Sequence, residues 1–148
     1  MVAEPVVYRH AAAGPMGREE AWYRILRWVG HWSTFGYGLF AVLDKATGTF
    51  IGETGLGKFH RGLGADFDED DEAAWVFTGS VHGKGIAREA AQAALDWYDR
   101  TRQCRRSVCI IRPENEASLR LAKRLGYEAY DERAYKERPV VLLERMVG

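Results

Sequence analysis

The sequence of 148 residues predicts a mixed α/β fold in which helices pack on a sheet. Segments with apolar residues at helical spacing alternate with short runs rich in β-branched and aromatic residues. Turn-forming residues separate these segments, and a loop with two glycines joins one strand to the next helix. The predicted order is helix, three strands, helix, strand, helix and two strands. We expect residues 1–148 to form one domain.

The first half of the chain predicts a helix followed by three strands. The helix is expected over residues 18–29, with Gly30 at its end and four apolar residues on one face: Trp22, Ile25, Leu26 and Val29. The strands are expected at residues 37–43, 49–59 and 73–78, with a hairpin loop at 44–48 and a loop at 60–72.

The second half predicts two helices and three strands. A helix is expected at residues 86–101, a strand at 107–112, and a second helix at 116–125 with Asn115 as its N-cap. Pro113 ends the strand because proline cannot donate to a ladder, and Gly126 suits the end of the second helix. Two final strands are expected at residues 127–135 and 140–146, joined around Arg138 and Pro139.

Composition excludes several classes of function. The 21 basic and 21 acidic side chains give no net charge, whereas a general nucleic-acid or anionic-membrane binder carries a basic excess. No apolar run approaches the roughly 20 residues of a membrane span, and residues 1–10 lack the pattern of a secretory signal. Cys109 lies in an apolar run and is expected to be a small core residue. We therefore expect a cytoplasmic protein without a nucleic-acid or membrane partner.

The loop between the third strand and its helix favours a phosphate ligand. Residues 81–90 read Val-His-Gly-Lys-Gly-Ile-Ala-Arg-Glu-Ala. Such a loop presents backbone N–H groups at a helix N-terminus, where the helix dipole also favours an anion. It lacks the Ser or Thr of an NTPase loop and the third glycine of a dinucleotide fingerprint. The alternative is that Gly83 and Gly85 only turn the chain from strand to helix.

Two polar residues at the start of the next helix lie where open α/β sheets bind ligands. Asn115 follows a strand, and Ser118 shares the inward face of the helix with Leu121 and Leu125. Asn115 is either a ligand contact or only an N-cap. Ser118 is either a ligand contact or a residue that is hydrogen-bonded within its own helix.

Together, the glycine loop and this helix resemble the GNAT superfamily of acyl-CoA N-acetyltransferases. That superfamily has a pyrophosphate loop of the form Gln/Arg-x-x-Gly-x-Gly/Ala, which here begins with His82 and includes Gly85 and Ala87. Residues 18–22, 48–53, 88–90, 115–118 and 126–127 resemble the branch that contains the ribosomal-protein N-terminal acetyltransferases. The resemblance extends over nearly the whole chain in the same order.

The resemblance implies acetyl-CoA as co-substrate and an amine, from a small molecule or a peptide, as acceptor. It implies a cofactor-binding set of nine residues: Phe77, His82, Gly83, Lys84, Gly85, Ile86, Ala87, Arg88 and Asn115. The loop would hold the CoA pyrophosphate, the strand end at Phe77 would pair with the pantetheine arm, and Asn115 would bond that arm. Ser118 would lie near the sulfur as a catalytic residue that serves the departing thiolate.

The chain departs from the family pattern at two places. Many members carry a tyrosine seven residues after the asparagine as general acid, and this chain has Ala122 there. Residues 4–10 resemble the family's segment beyond its first strand and first helix, so both elements are expected to be missing. An uncovered sheet edge exposes unpaired backbone groups. We expect a second protomer, in a homodimer, or the N-terminal segment to cover that edge.

The acceptor side is less well defined by the sequence. Glu53 is either the general base or an exposed carboxylate of its strand, and Glu72 is a weaker candidate base. The acidic run at residues 66–72 either attracts a cationic amine or forms a solvated loop. His31 either lines the acceptor pocket or packs in the core. Most of four aromatic residues are expected in the core, with some as an apolar acceptor wall: Trp22, Trp28, Phe35 and Tyr37. The histidines show no metal-ligand spacing, so no metal site is expected.

The leading interpretation is therefore an acetyl-CoA-dependent N-acetyltransferase. A second interpretation is a catalytically silent acyl-CoA-binding module that acts as a sensor or interaction subunit. It draws on the absent tyrosine and the missing first strand. A third is a nucleotide-binding domain unrelated to CoA.

Overall fold

The computed structural model describes residues 17–147. Its helices are α1 (Arg18–Phe35), α2 (Ala65–Asp68), α3 (Ile86–Arg102) and α4 (Glu116–Arg124), and a 3₁₀ turn covers Gly79–Val81. Its strands are β1 (Leu39–Leu43), β2 (Phe50–Gly57), β3 (Asp71–Phe77), β4 (Arg106–Ile111), β5 (Glu128–Tyr135) and β6 (Arg138–Met146). The expectations for residues 1–10, including the missing first strand and helix, lie outside the described residues.

The six strands form one mixed sheet in the order β1-β2-β3-β4-β6-β5. All neighbouring strands are antiparallel except β3 and β4, which run parallel. The β3–β4 ladder contains two pairs, Asp71 with Ser107 and Glu72 with Val108. From Ala73 onward, β3 has no partner on that side, so a gap opens between the carboxyl ends of the two strands. Helices α3 and α4 both begin at this end of the sheet.

The sheet is covered on both faces. Helices α3 and α4 pack on one face through a core of twelve residues: Tyr37, Leu56, Ala73, Ala91, Leu95, Tyr98, Cys109, Ile111, Ala122, Leu125, Tyr127 and Leu143. On the other face, Phe67 of α2 packs with Val108, Val140 and Leu142. Helix α1 lies on that same face, because a Cβ atom on Gly57 would come within 2.8 Å of the Trp28 ring. The mixed α/β fold predicted from the sequence is confirmed.

Helix α1 differs from its prediction in length and in rotation. It continues past Gly30 and ends at Gly36, whose left-handed φ of 77° terminates the helix and whose N–H donates to the Trp32 carbonyl. Its buried residues are Trp28 and His31. The predicted apolar face points outward, with four exposed residues that we call the α1 stripe: Trp22 (58%), Ile25 (51%), Leu26 (47%) and Val29 (62%). Of the four aromatic residues expected mostly in the core, Trp28 and Tyr37 are buried, whereas Trp22 and Phe35 (47%) are exposed.

The acidic run is not a solvated loop. It contains α2 and the start of β3, and Asp71 and Glu72 are buried. Asp71 accepts hydrogen bonds from the hydroxyl groups of Tyr37 and Tyr98, both at 2.6 Å, and lies 3.1 Å from Lys58 Nζ. The carboxylates of Asp71 and Glu72 therefore form hydrogen bonds or ion pairs within the protein.

The last hairpin turns two residues earlier than predicted. Lys136 and Glu137 form its tip with φ values of 50° and 63°, and β6 already begins at Arg138. Pro139 lies within β6 and faces Ala134 of β5. The β4–β6 ladder ends at Val141, so the missing N–H of Pro139 breaks no bond to β4.

Candidate functional site

The gap between β3 and β4 is the centre of the candidate site. Beyond Glu72, the β4-facing edge of β3 keeps backbone N–H and C=O groups with no ladder partner in the described chain. An unpaired strand edge can hydrogen-bond an extended ligand as if that ligand were another strand. The gap lies between the N-termini of α3 and α4, where two helix dipoles favour negative charge.

The glycine loop has the backbone that an anion cradle requires. Gly83 and Gly85 have φ values of 79° and 74°, which glycine adopts without the penalty of a side chain. No protein atom lies within 4 Å of a Cβ built on either residue. Within the described residues, the N–H groups of both glycines donate no hydrogen bond. The loop therefore offers free donors in open space directly before α3.

The strand end beside this loop is held by packing. Phe77 is 5% exposed and packs with Ile51 and Val81. Gly52 lies opposite Phe77 on β2, and a Cβ atom there would collide with the Phe77 ring. His82 Nε2 lies 3.3 Å from the Phe77 carbonyl oxygen, so the first residue of the loop motif contacts the end of β3.

The polar residues of α4 meet β3 across the gap. Asn115 caps α4 as predicted, because its Oδ1 accepts from the backbone N–H of Ser118 at 3.2 Å. Ser118 is half-buried, and its hydroxyl accepts from Trp75 Nε1 at 3.3 Å. The contact with Trp75 was not predicted, since residues 43 positions apart give no local spacing signal.

Three buried tyrosine hydroxyls of the described residues are engaged by other protein groups, and the position of the family's general acid carries Ala122. Ala122 is fully buried in the core. Tyr37 and Tyr98 donate to Asp71, and the Tyr127 hydroxyl lies 2.7 Å from Ser107 Oγ. Burial, the hydrogen bond to Asp71 and its charge all raise the pKa of Tyr98, so this hydroxyl stays protonated.

The two predicted catalytic residues lie on opposite faces of the sheet. Glu53 pairs in register with Val76, while the next residue, Trp75, points to the other face and contacts Ser118. Arg24 of α1 donates to Glu53 Oε1 from Nε at 2.7 Å and also from Nη2. Glu53 therefore lies on the α1 side of the sheet, opposite the face that carries Trp75 and Ser118.

Glu72 forms a buried ion pair at the point where β3 and β4 separate. Arg61 donates to it from Nε and Nη2, both at 2.7 Å, and donates from Nη1 to the Tyr135 hydroxyl at 3.0 Å. Burial raises the pKa of the Glu72 carboxyl, and the forked contact with Arg61 opposes this effect. The sequence did not single out Arg61, because its partners lie 11 and 74 positions away.

Two other candidate residues have structural contacts. His31 Nδ1 lies 2.6 Å from the Tyr37 carbonyl, and the backbone N–H of Lys58 donates to Nε2 at 3.1 Å. The ring proton therefore lies on Nδ1, and both ring nitrogens are engaged. Cys109 is 1% exposed, and burial raises the pKa of its thiol, which keeps it protonated as a core residue.

Residues 17–147 contain no group of three or more His, Cys, Asp or Glu residues arranged to hold a metal ion. In the same range, no helix has both the length and the hydropathy needed to cross a bilayer.

Comparison with known proteins identifies the family of this chain. A family model described as an acetyltransferase (GNAT) domain matches residues 1–128. The uncharacterized protein YkkB of Bacillus subtilis is 31% identical over 114 residues, which cover 75% of this chain and 62% of YkkB. The matched part thus spans less than two thirds of that relative.

Solved structures agree with the family model. One described as a GNAT-family acetyltransferase from Bordetella pertussis has 35% sequence identity and a TM-score of 0.86, covering 95% of this chain and 84% of its own. The ribosomal-protein-S5-alanine acetyltransferase of Vibrio fischeri shares the fold at a TM-score of 0.70 and 22% identity, covering 86% and 71% of the two chains. The resemblance inferred from the sequence is thereby confirmed, and the chain belongs to the GNAT acetyltransferase family.

Proposed function

We propose that this protein transfers the acetyl group of acetyl-CoA to a primary amine of a small molecule or a peptide. The single observation that carries the proposal is the gap between β3 and β4, which begins after Glu72 and lies beside the glycine loop. An unpaired strand edge fits an extended amide-bearing arm, and a loop of free N–H donors fits a pyrophosphate. Membership in the family supports the same conclusion.

Different residues of the chain would bind different parts of CoA. The N–H groups of residues 83–87 would hold the pyrophosphate, with Lys84 and Arg88 as cationic neighbours and His82 fixing the start of the loop. The edge of β3 up to Phe77 would pair with the pantetheine arm. Asn115 uses its Oδ1 for the helix cap, which leaves its Nδ2 group to donate to that arm.

The chemical step requires a proton acceptor, a place for negative charge and correct positioning. When bound, acetyl-CoA supplies the thioester carbonyl that the amine nitrogen attacks, and CoA leaves as the thiolate. A backbone N–H on the free edge of β3 would donate to the carbonyl oxygen. Ser118 lies at the gap, where its hydroxyl would donate to the thiolate. Holding both substrates together supplies much of the remaining acceleration.

Glu53 is the proposed base. An α-amine has a pKa of about 8 and a lysine amine about 10.4, so a substrate amine is mostly protonated at neutral pH. Both hydrogen bonds from Arg24 go to Oε1, which leaves Oε2 of Glu53 to accept a proton directly or through a water. Its position opposite Ser118 lets the amine approach from the face that α1 covers.

A thiol-release assay tests the proposal. The protein is mixed with acetyl-CoA and a broad panel of primary amines, and free CoA thiol is measured. Release that depends on an amine supports the enzyme. Tight CoA binding without release for any amine would instead support the silent acyl-CoA-binding module, which the buried Ala122 favours. Equal thermal stabilisation by ATP and CoA would support a general nucleotide-binding domain.

A matched pair of glycine variants tests the loop. Gly85 and Gly48 have the same φ of 74°, and neither has a protein atom within 4 Å of a built Cβ. Gly85→Asp and Gly48→Asp should therefore lose similar stability, because both introduce the same backbone strain. Only Gly85→Asp should abolish the rise in melting temperature caused by CoA. Equal CoA stabilisation of the two variants would contradict the loop assignment.

Two further parts of the proposal concern assembly and location. The outer edge of β1 has no partner strand among the described residues, and the α1 stripe lies exposed on the adjoining helix. We propose that a second copy of the chain covers this region in a homodimer, which sedimentation would show as a doubled mass. A cytoplasmic location is part of the proposal because both cysteines are free thiols.

A further inference from the structure

Four arginines lie on the side of the sheet that α1 covers. Arg24 and Arg27 belong to α1, Arg61 follows β2, and Arg112 follows β4. Arg27 lies within electrostatic range of Arg24, Arg61 and Tyr135, and Arg112 lies within range of Arg61 and Tyr135. We call these four residues the arginine cluster.

The cluster contains more positive than negative charge. The carboxylates facing it from β2 and β3 are Glu53 and Glu72, and each is already paired, with Arg24 and Arg61 respectively. Glu114 lies within range of Arg112 but forms its ion pair with Arg138. Two arginines therefore remain without a carboxylate partner in the described chain.

Arg112 has an unused edge suited to a carboxylate. It is 3% exposed, and its Nη1 donates to the carbonyl oxygens of Pro139 at 3.1 Å and Tyr135 at 3.4 Å. Its buried Nε and Nη2 atoms have no hydrogen-bond partner. Arg61 uses this same Nε–Nη2 edge for its forked contact with Glu72. Buried donors without acceptors are rare and costly, so an acceptor from a ligand would stabilise this site.

Arg27 is the second arginine without a partner. Within residues 17–147 it forms no ion pair, and its guanidinium lies 6.0 Å from the centre of the Trp28 ring. The Arg27 side chain is exposed, and partial desolvation together with the charges of Arg24 and Arg61 lowers its pKa. Burial and the charge of Arg138 likewise lower the pKa of Arg112. A bound anion would relieve the repulsion at both groups.

The position of the cluster assigns it to the acceptor rather than to CoA. Glu53, which pairs with Arg24, is in register with Val76 in the part of β3 that borders the gap. Ser118 and Trp75 lie on the opposite face of the same strand. An anionic group bound by the arginines would therefore belong to the molecule that approaches from the α1 side.

We propose that the acceptor is a primary amine that also carries a carboxylate, as an amino acid does, that the free edge of Arg112 binds this carboxylate, and that Arg27 adds positive charge on the α1 side. The inference rests on the proposed function, since it names the class of its acceptor. It replaces the alternative of a cationic acceptor drawn to the acidic run, because the buried carboxylates of that run, Asp71 and Glu72, are engaged in the fold.

The test compares each amine with its own uncharged derivative. The probes are the twenty amino acids and several ω-amino acids, each as the free acid and as the carboxamide, with spermidine as a cationic amine. The carboxamide has the more easily deprotonated amine, so intrinsic reactivity favours it over the acid. For at least one pair, kcat/KM for the acid should exceed that for the amide by about tenfold or more.

Variants then show which residues cause the preference for the free acid over the carboxamide. Arg27→Gln should raise KM for the acid about tenfold while leaving KM for the amide unchanged. Arg112→Gln should act in the same direction, and a melting curve would show whether it still folds. Arg105→Gln is the control, since Arg105 is exposed and lies before β4 at the other end of the sheet. An acid preference that survives both the Arg27 and the Arg112 variants would overturn the proposal.

A binding measurement separates this inference from the proposed function. Calorimetry on the CoA-loaded protein compares N-acetylated amino acids with their amides and needs no turnover. Thiol release with spermidine or the amides, without any acid preference, would refute the carboxylate site and keep the acetyltransferase. Absence of thiol release with every amine would refute the enzyme, and acid-selective binding lost in Arg27→Gln would still support the site. Absence of acid-selective binding and turnover would refute the inference.

Discussion

Glu72→Gln removes the charge that balances Arg61 at the junction of β3 and β4. The side chains of Glu72 and Arg61 are 4% and 17% exposed, so water screens neither group well. Removing one member of a buried ion pair leaves an uncompensated charge and typically costs about 3–5 kcal/mol. That is a large fraction of the roughly 5–15 kcal/mol by which a domain is stable.

Urea unfolding monitored by tryptophan fluorescence measures this loss. With a slope of about 2 kcal/mol per molar urea, a loss of about 4 kcal/mol lowers the midpoint by about 2 M. Glu114→Gln is the control, because Glu114 forms an exposed pair with Arg138, at 47% and 57% exposure. An exposed pair contributes about 0–1 kcal/mol, so this variant should unfold close to the parent midpoint.

A double variant tests the physical reason. Replacing both partners by apolar residues, as in Arg61→Met with Glu72→Leu, removes the unpaired charge together with the pair. Such replacements are often neutral or stabilising, so the double variant should be more stable than Glu72→Gln. A midpoint for Glu72→Gln within about 0.3 M of the Glu114→Gln midpoint would refute the assignment of a buried, uncompensated charge.

The other predictions concern the reaction and acid stability. Ser118→Ala should lower kcat at least about tenfold and leave the Kd for CoA within about twofold, measured by thiol release and calorimetry; equal kcat would exclude Ser118 from thiolate stabilisation. Glu53→Gln should lower kcat/KM and leave the Kd for CoA unchanged, and an unchanged kcat/KM would exclude it as the base. Burial opposes ionisation of Asp71, but hydrogen bonds from Tyr37, Tyr98 and Lys58 outweigh it and lower the pKa of Asp71. Its stabilisation is therefore present above about pH 4 and is lost as pH falls through the lowered pKa, so Asp71→Asn should flatten the acid side of the stability curve, and parallel curves for parent and variant would contradict this.

The sequence predicted most of the fold because local signals were consistent along the second half of the chain. Asn115 caps its helix as expected, and the helix expected at residues 86–101 is present as Ile86–Arg102. These elements carry one apolar face each and end at residues with a defined capping role. Local chemistry was therefore sufficient to place them.

Helix α1 shows why the first half was harder to predict. It carries two candidate faces, and the face that packs contains Trp28, His31 and Arg24 rather than the α1 stripe. The choice depends on the space above Gly57 for the Trp28 ring and on the two hydrogen bonds that His31 forms, all of which are tertiary contacts. The choice between Gly30 and Gly36 as the helix end depends on the same packing.

The candidate site shows the same difference between local motifs and long-range contacts. The glycine loop and Asn115 were recognisable because each is a local motif. Arg24, Arg61 and Arg112 were not, because they reach the site from different elements and pair with groups far along the chain. Long-range partners of this kind have no spacing that a single sequence displays.

The short β3–β4 ladder also has a consequence for motion. Only two residue pairs connect the strand group β1-β2-β3 with the group β4-β6-β5 within the sheet. The two groups can therefore open as separate cooperative units, and amide hydrogen exchange should distinguish them. The amides of residues 73–77 that face the gap should exchange quickly in the free protein. They should slow when an extended ligand fills the gap, because that ligand would join the two units into one.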